Sequence, residues 1–139
     1  MSPLDKEVLA EKAAAVERHL ARVQARLPAG PSELEPSTDD ADIVILHLWQ
    51  AVQIVIDLAL AACVTSNLGT PATYAEAFQR MAQAGHLERD LADRLVLAVG
   101  FRNAIAHNYE DLDMSRVYEA ASKGPADLRA FLAALRDRL

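Results

Sequence analysis

Ile43-Val-Ile-Leu-His-Leu-Trp-Gln-Ala-Val-Gln-Ile-Val-Ile-Asp-Leu-Ala-Leu-Ala-Ala-Cys-Val64 decides the fold. The run is apolar around most of a helical circumference, so it belongs either in a membrane or at the centre of a helical bundle. His47, Gln50, Gln53 and Asp57 interrupt it, and one mid-membrane Asp costs roughly 2.5–3.5 kcal/mol on insertion scales. The run is therefore expected to be a buried bundle helix, spanning roughly Asp40 to Asn67, with Ser37, Thr38 and Asp39 available as caps. Gln50, Gln53 and Asp57 fall within about 60° of one another and form one polar strip. That strip is either a solvated or dimer-facing edge, or it faces a second polar segment further along the chain. In the second case Asp57 would hold Arg102, because a buried carboxylate needs a partner.

Outward from this helix the chain reads as more helices. Ser2-Pro3 has the pattern of an N-cap followed by proline at the first helical position. Leu9, Ala13, Val16, Leu20, Val23 and Leu27 then repeat at steps of four and three, an amphipathic stripe. His19 lies beside Leu20 with no partner histidine at ligand spacing, which places it on the surface. Pro28-Ala-Gly-Pro31 ends the helix, and the Pro-, Glu- and Ser-rich segment that follows is a loop. Beyond Leu68-Gly69-Thr70-Pro71, Thr73-x-x-Glu76 has capping-box spacing and opens a short helix that stops at Gly85. A fourth helix is expected from about Leu87 to Asn108, its core face being Leu91, Leu95, Ala98, Phe101 and Ile105. Asp113 can cap a fifth, Met114 to Lys123, and Gly124-Pro125 is expected to separate that from a last helix carrying Leu128, Phe131, Leu132 and Leu135. The expected fold is a single all-α domain over 1–139. Its up-and-down bundle occupies about 3–110, and short C-terminal helices follow over about 113–139.

Composition fits this. The 139 residues are 52% hydrophobic but only 5% aromatic, which suits closely packed helices better than a sheet. The lone Cys63 lies inside the apolar run, so no disulfide within the chain is possible, as expected of a cytoplasmic protein. No apolar leader follows the early Asp5, Glu7 and Glu11, so no secretory signal is expected. A net charge of −6 argues against broad electrostatic capture of nucleic acid, which needs clustered cations, but leaves room for a small local site.

The second polar segment is Arg102-Asn-Ala-Ile-Ala-His107-Asn-Tyr109, which closes the fourth helix. Arg102 and Tyr109 are seven apart and fall almost on one line at roughly 100° per residue, while His107 lies about 140° around the axis from Arg102. A regular helix in one chain cannot aim both Arg102 and His107 at one small target. Either the helix loosens near His107, or a second copy of the chain supplies the other half. His19, His47, His86 and His107 are scattered, with no HExxH or Cys cluster, and there is no Gly-rich phosphate loop; no metal or cofactor is expected. What remains is Arg plus His. Metal-free RNA cleavage needs a proton carrier near neutrality for the 2′-hydroxyl and the leaving oxygen, and a fixed cation for the phosphate. Paired copies of Arg102 and His107 across a two-fold axis would meet both needs; by spacing alone, a helix-end histidine with a capping arginine is the commoner origin of such a pair.

Arg-x4-His-x-Tyr resembles the signature of the HEPN superfamily, and the tyrosine extension is similar to the HepT toxins. The likeness continues through the Gln- and Asp-bearing central helix, then Pro71-x-x-Tyr74-x-Glu76-x-Phe78, then Gly85, covering roughly residues 40–120. It implies a homodimeric HEPN helical bundle with the motif near the dimer cleft, and a metal-independent endoribonuclease of a type II-like toxin–antitoxin pair. Arg102 and His107 are the implied catalytic residues, with Asn103 and Asp57 in support. The implied partner is a small nucleotidyltransferase antitoxin that transfers AMP to Tyr109 and silences the toxin; bulk and phosphate charge there suit a block to RNA. Glu110, Asp111 and Asp113 make the surroundings of the motif acidic. They and the net charge favour an alternative, a non-catalytic dimeric helical module that binds a nucleotidyltransferase or a nucleotide.

Overall fold

The computed structural model describes residues 4–139. Among them are five α-helices and no strand: α1 (Lys6–Arg26), α2 (Asp39–Thr65), α3 (Tyr74–Gln83), α4 (Arg89–Asn108) and α5 (Met114–Arg138). Short 3-10 turns cover Pro31–Glu33 and Tyr109–Asp111.

Each start has a local cause. Asp5 accepts from the Val8 N–H and opens α1, and the Ser2-Pro3 cap expected from the sequence lies outside the described residues. Leu9, Val16, Leu20 and Val23 are the buried stripe of that helix. Thr38 caps α2 through the Ala41 N–H, with Asp39, Asp40 and Asp42 in the first turn, where the helix dipole favours negative charge. Thr73 caps α3, and Glu76 reaches back to the Ala72 N–H rather than to the cap residue's own. Gly85, at φ +79°, closes the end of α3 in the left-handed conformation that glycine adopts without strain.

α2 is the axis of the bundle and touches each of the other four α-helices. Its buried residues run from Ala41 to Cys63 and cover most of its circumference, as its composition requires. The helix is long and apolar enough to cross a membrane, and 56% of its most apolar window is buried against the rest of the protein.

The C-terminal part departs from expectation. Met114–Arg138 is one helix that runs through Pro125. Proline removes one intrahelical hydrogen bond and crowds the preceding turn, which ordinarily ends a helix. Here the tertiary contacts hold it together. Val117, Ala121, Leu128, Phe131, Leu132 and Leu135 are all buried and lie within about 100° of one another on a continuous helix. Breaking the helix at Pro125 would take Leu128 and the residues after it out of phase with Val117. Phe131 meets Phe78 edge-on at 5.6 Å, Arg129 grips Glu17 of α1 through two nitrogens at 2.9 and 3.1 Å, and Asp127 accepts from Arg94 of α4. The last helix is thus part of the core.

His19 also departs. It is half-buried, and its Nδ1 stands 2.9 Å from Nδ1 of His47, a buried residue of α2. Two histidines that the sequence scatters are brought together because α1 packs along α2. Burial lowers both pKa values; for His19 the charges of His47, Arg22 and Arg18 add to it, and for His47 that of Arg22. Among the described residues no three His, Cys, Asp or Glu side chains converge as a metal site would require.

Candidate functional site

Arg102 leaves α4 toward α2 and is held on every side. Its Nε donates to the Gln53 side-chain oxygen at 2.8 Å and its Nη1 to Asn103 Oδ1 at 3.1 Å. Its guanidinium carbon lies 5.7 Å from the Trp49 ring centre and 5.4 Å from that of Tyr74, within cation–π reach of aromatic rings on α2 and α3. Such a cation is held in position, and its Nη2, which makes no hydrogen bond among the described residues, is left for an anion.

Asp57 does not touch Arg102. It is exposed and accepts from Gln53 Nε2 at 3.0 Å, so the polar strip acts as a relay in which Asp57 orients Gln53 and Gln53 orients Arg102. The direct Asp57–Arg102 pair expected from the sequence is corrected accordingly. An exposed carboxylate has no need of a cation, and the amide spans the gap. Gln53 lies on the polar strip expected to face this segment, but its direct hold on Arg102 and the contacts of Trp49 and Tyr74 are not expected from the sequence. The signal was available in part, since Trp49, Gln53 and Asp57 repeat at i, i+4, i+8 on α2 and so share one face.

His107 is exposed and makes no hydrogen bond among the described residues. It is still within α4, so its direction is about 140° from that of Arg102. The helix does loosen, but at Asn108 (φ −149°, ψ 46°), one residue too late to swing His107 toward Arg102. Loosening therefore does not unite the two within one chain.

The same break moves Tyr109 off the Arg102 line. It begins the 3-10 turn and crosses to α2, where its hydroxyl donates to Asp42 Oδ1 at 2.6 Å. Because α4 runs antiparallel to α2, going on from Arg102 along one helix means going back from Gln53 along the other, which brings Tyr109 to the acidic first turn. The Tyr109 hydroxyl is pushed up to about 12 by burial first, then by the hydrogen bond and charge of Asp42 and by the charge of Glu110. The side chain is nonetheless 44% exposed.

A helical bundle with a clamped arginine, an exposed histidine and a tyrosine at the end of the same helix is the class of arrangement this chain presents. The family described as ribonuclease HepT-like matches residues 16–135, beyond the stretch that carries the motif, and the chain belongs to that family. The mRNA nuclease HepT of Shewanella oneidensis is 27% identical over 126 residues, which span 91% of this chain and 94% of that protein. The tri-AMPylated HEPN toxin of Shewanella oneidensis, solved in complex with its MNT antitoxin, superposes at TM-score 0.86. It is 25% identical and the match covers 96% of this chain and 99% of that one. A toxin–antitoxin structure with AMP-PNP gives TM-score 0.87 at 25% identity, covering 95% and 99%. A cytosolic protein of unknown function from Bacillus subtilis, YutE, shares the fold at TM-score 0.81 and 14% identity over 100% of this chain and 93% of its own.

Proposed function

We propose that this chain is the toxin of a toxin–antitoxin pair: a metal-independent endoribonuclease, active in the cytoplasm as a homodimer and silenced when a nucleotidyltransferase antitoxin AMPylates Tyr109. The observation that carries the reading is the contrast between Arg102 and His107. Arg102 is locked by Gln53, Asn103, Trp49 and Tyr74, the form a phosphate-binding cation needs. His107 is free and exposed on another side of the same helix, as a group that must meet a site on a second copy would be. The relatives named mRNA nuclease and HEPN toxin support the activity, and the AMPylated complex supports the partner.

In the proposed dimer Arg102 of one subunit holds the scissile phosphate. His107 of the other takes the proton of the 2′-hydroxyl, which attacks the phosphorus and expels the 5′-oxygen; the same imidazole returns a proton to that oxygen. The fork of Arg102 stabilises the charge that builds on the phosphoryl oxygens.

The test is cleavage of RNA by the purified chain with and without EDTA, beside Arg102→Ala and His107→Ala. Cleavage that persists with chelator and is lost in both variants supports the reading. Cleavage that EDTA abolishes, or that survives His107→Ala, overturns it. Tight binding of the nucleotidyltransferase with no RNA turnover at stoichiometric protein would instead establish a non-catalytic binding module, to which the net charge of −6 is better suited.

A further inference from the structure

We propose that Asp42 is the general base for the modification of Tyr109, taking the phenolic proton as the nucleotide is transferred; this rests on reading Tyr109 as the AMPylated residue. A phenol is a weak nucleophile while it keeps its proton, and nucleophiles of this kind are activated by a base in hydrogen-bond contact. Asp42 Oδ1 is in that contact at 2.6 Å, with Tyr109 Oη as donor. The carboxylate comes from the first turn of α2 and the phenol from the turn after α4, two elements that meet only in the folded chain.

The ground state explains why a base is needed. Burial, Asp42 and Glu110 together keep the Tyr109 proton in place at neutral pH. As the Oη–phosphorus bond forms, electron density leaves the phenolic oxygen and its proton becomes acidic. A carboxylate already hydrogen-bonded there accepts it without rearrangement. The step balances. Tyr109 Oη attacks the α-phosphorus of a nucleoside triphosphate, the bond from that phosphorus to the oxygen bridging to the β-phosphate breaks, pyrophosphate leaves with the electron pair, and the proton passes from Oη to Asp42. The toxin thus supplies part of the chemistry of its own silencing.

The alternative role for Asp42 is a clamp that only holds the ring in place. Asp42→Asn separates the two, since an amide oxygen still accepts the hydrogen bond but is not a base. The experiment is single-turnover AMP transfer to the full chain by its nucleotidyltransferase partner with ATP and Mg²⁺, followed by intact mass and site mapping from pH 6.5 to 9.5. Besides Asp42, the charged group acting on Tyr109 is Glu110, so Glu110→Gln is the control for a general charge effect. The expected result is an Asp42→Asn rate about 10²–10⁴-fold below wild type near pH 7 and rising with pH, with Glu110→Gln within about twofold of wild type. An Asp42→Asn variant that melts like wild type and is modified at the wild-type rate, with the wild-type pH profile, overturns the proposal alone. A wild-type chain that gains no AMP, or gains it equally as Tyr109→Phe, overturns the AMPylation reading and the Asp42 proposal with it.

Discussion

Gln53 takes the Nε–H of Arg102 at 2.8 Å across the gap between α2 and α4, so the aim of the guanidinium is set by a neighbouring helix rather than its own. A hydrogen bond to a charged group contributes about 1.5–3 kcal/mol when it is made in full. Gln53→Ala should lower kcat/KM for RNA about 10- to 100-fold through a misplaced Arg102. Gln53 is only partly buried, so the melting temperature should change little. An unchanged kcat/KM would show that the orientation of Arg102 is irrelevant to turnover.

Arg102→Lys should be nearly as damaging as Arg102→Ala. Lysine keeps the charge but has neither the planar fork nor the delocalised guanidinium that lies within reach of the Trp49 and Tyr74 rings. Steady-state cleavage should fall at least about 10²-fold. Retained activity would mean that Arg102 acts only as a point charge.

Phe131→Ala tests whether the chain beyond Pro125 belongs to the core. Phe131 is fully buried against Phe78, and its loss should cost about 3–5 kcal/mol in chemical denaturation. A cost under about 1 kcal/mol would make the end of α5 an appendage.

The His19–His47 pair makes stability depend on pH in mild acid. Both groups titrate lower in the folded chain than their ordinary 6.5. The unfolded chain therefore binds more protons, and stability rises with pH in that range. The contribution is complete above about pH 6.5 and is lost as pH falls through the lowered values. His86 is shifted the same way by burial and Arg138. The melting temperature should drop between pH 7.5 and 5, and His19→Gln/His47→Gln should drop less, keeping the slope due to His86 and, toward pH 5, to the carboxylates of Glu17, Glu76 and Asp113, which are also lowered in the folded chain. Equal slopes would contradict the pairing.

The helices were legible from the sequence because apolar spacing and capping residues act locally: the α1 stripe, the Thr38 and Thr73 caps and the apolar girth of α2 all hold in the structure. Pro125 misled because its local cost is outweighed by contacts to residues as distant as Glu17 and Phe78. The same limit applies to the site. Arg102 and the polar strip of α2 could be matched by helical angle. The insertion of Gln53 between Asp57 and Arg102, the His19–His47 contact and the crossing of Tyr109 to Asp42 depend on how far two packed helices stand apart and on one irregular ψ at Asn108.

The central claim is that Arg102 and His107 work together only across two subunits, since α4 stays regular between them. Mixing inactive Arg102→Ala and His107→Ala proteins, then allowing subunits to exchange, tests it directly. Each mixed dimer then holds one site with both groups intact, so cleavage should return to about a quarter of the wild-type rate at equal mixing. If the exchanged mixture, shown to contain mixed dimers, stays as inactive as its parents, the two-subunit site is contradicted.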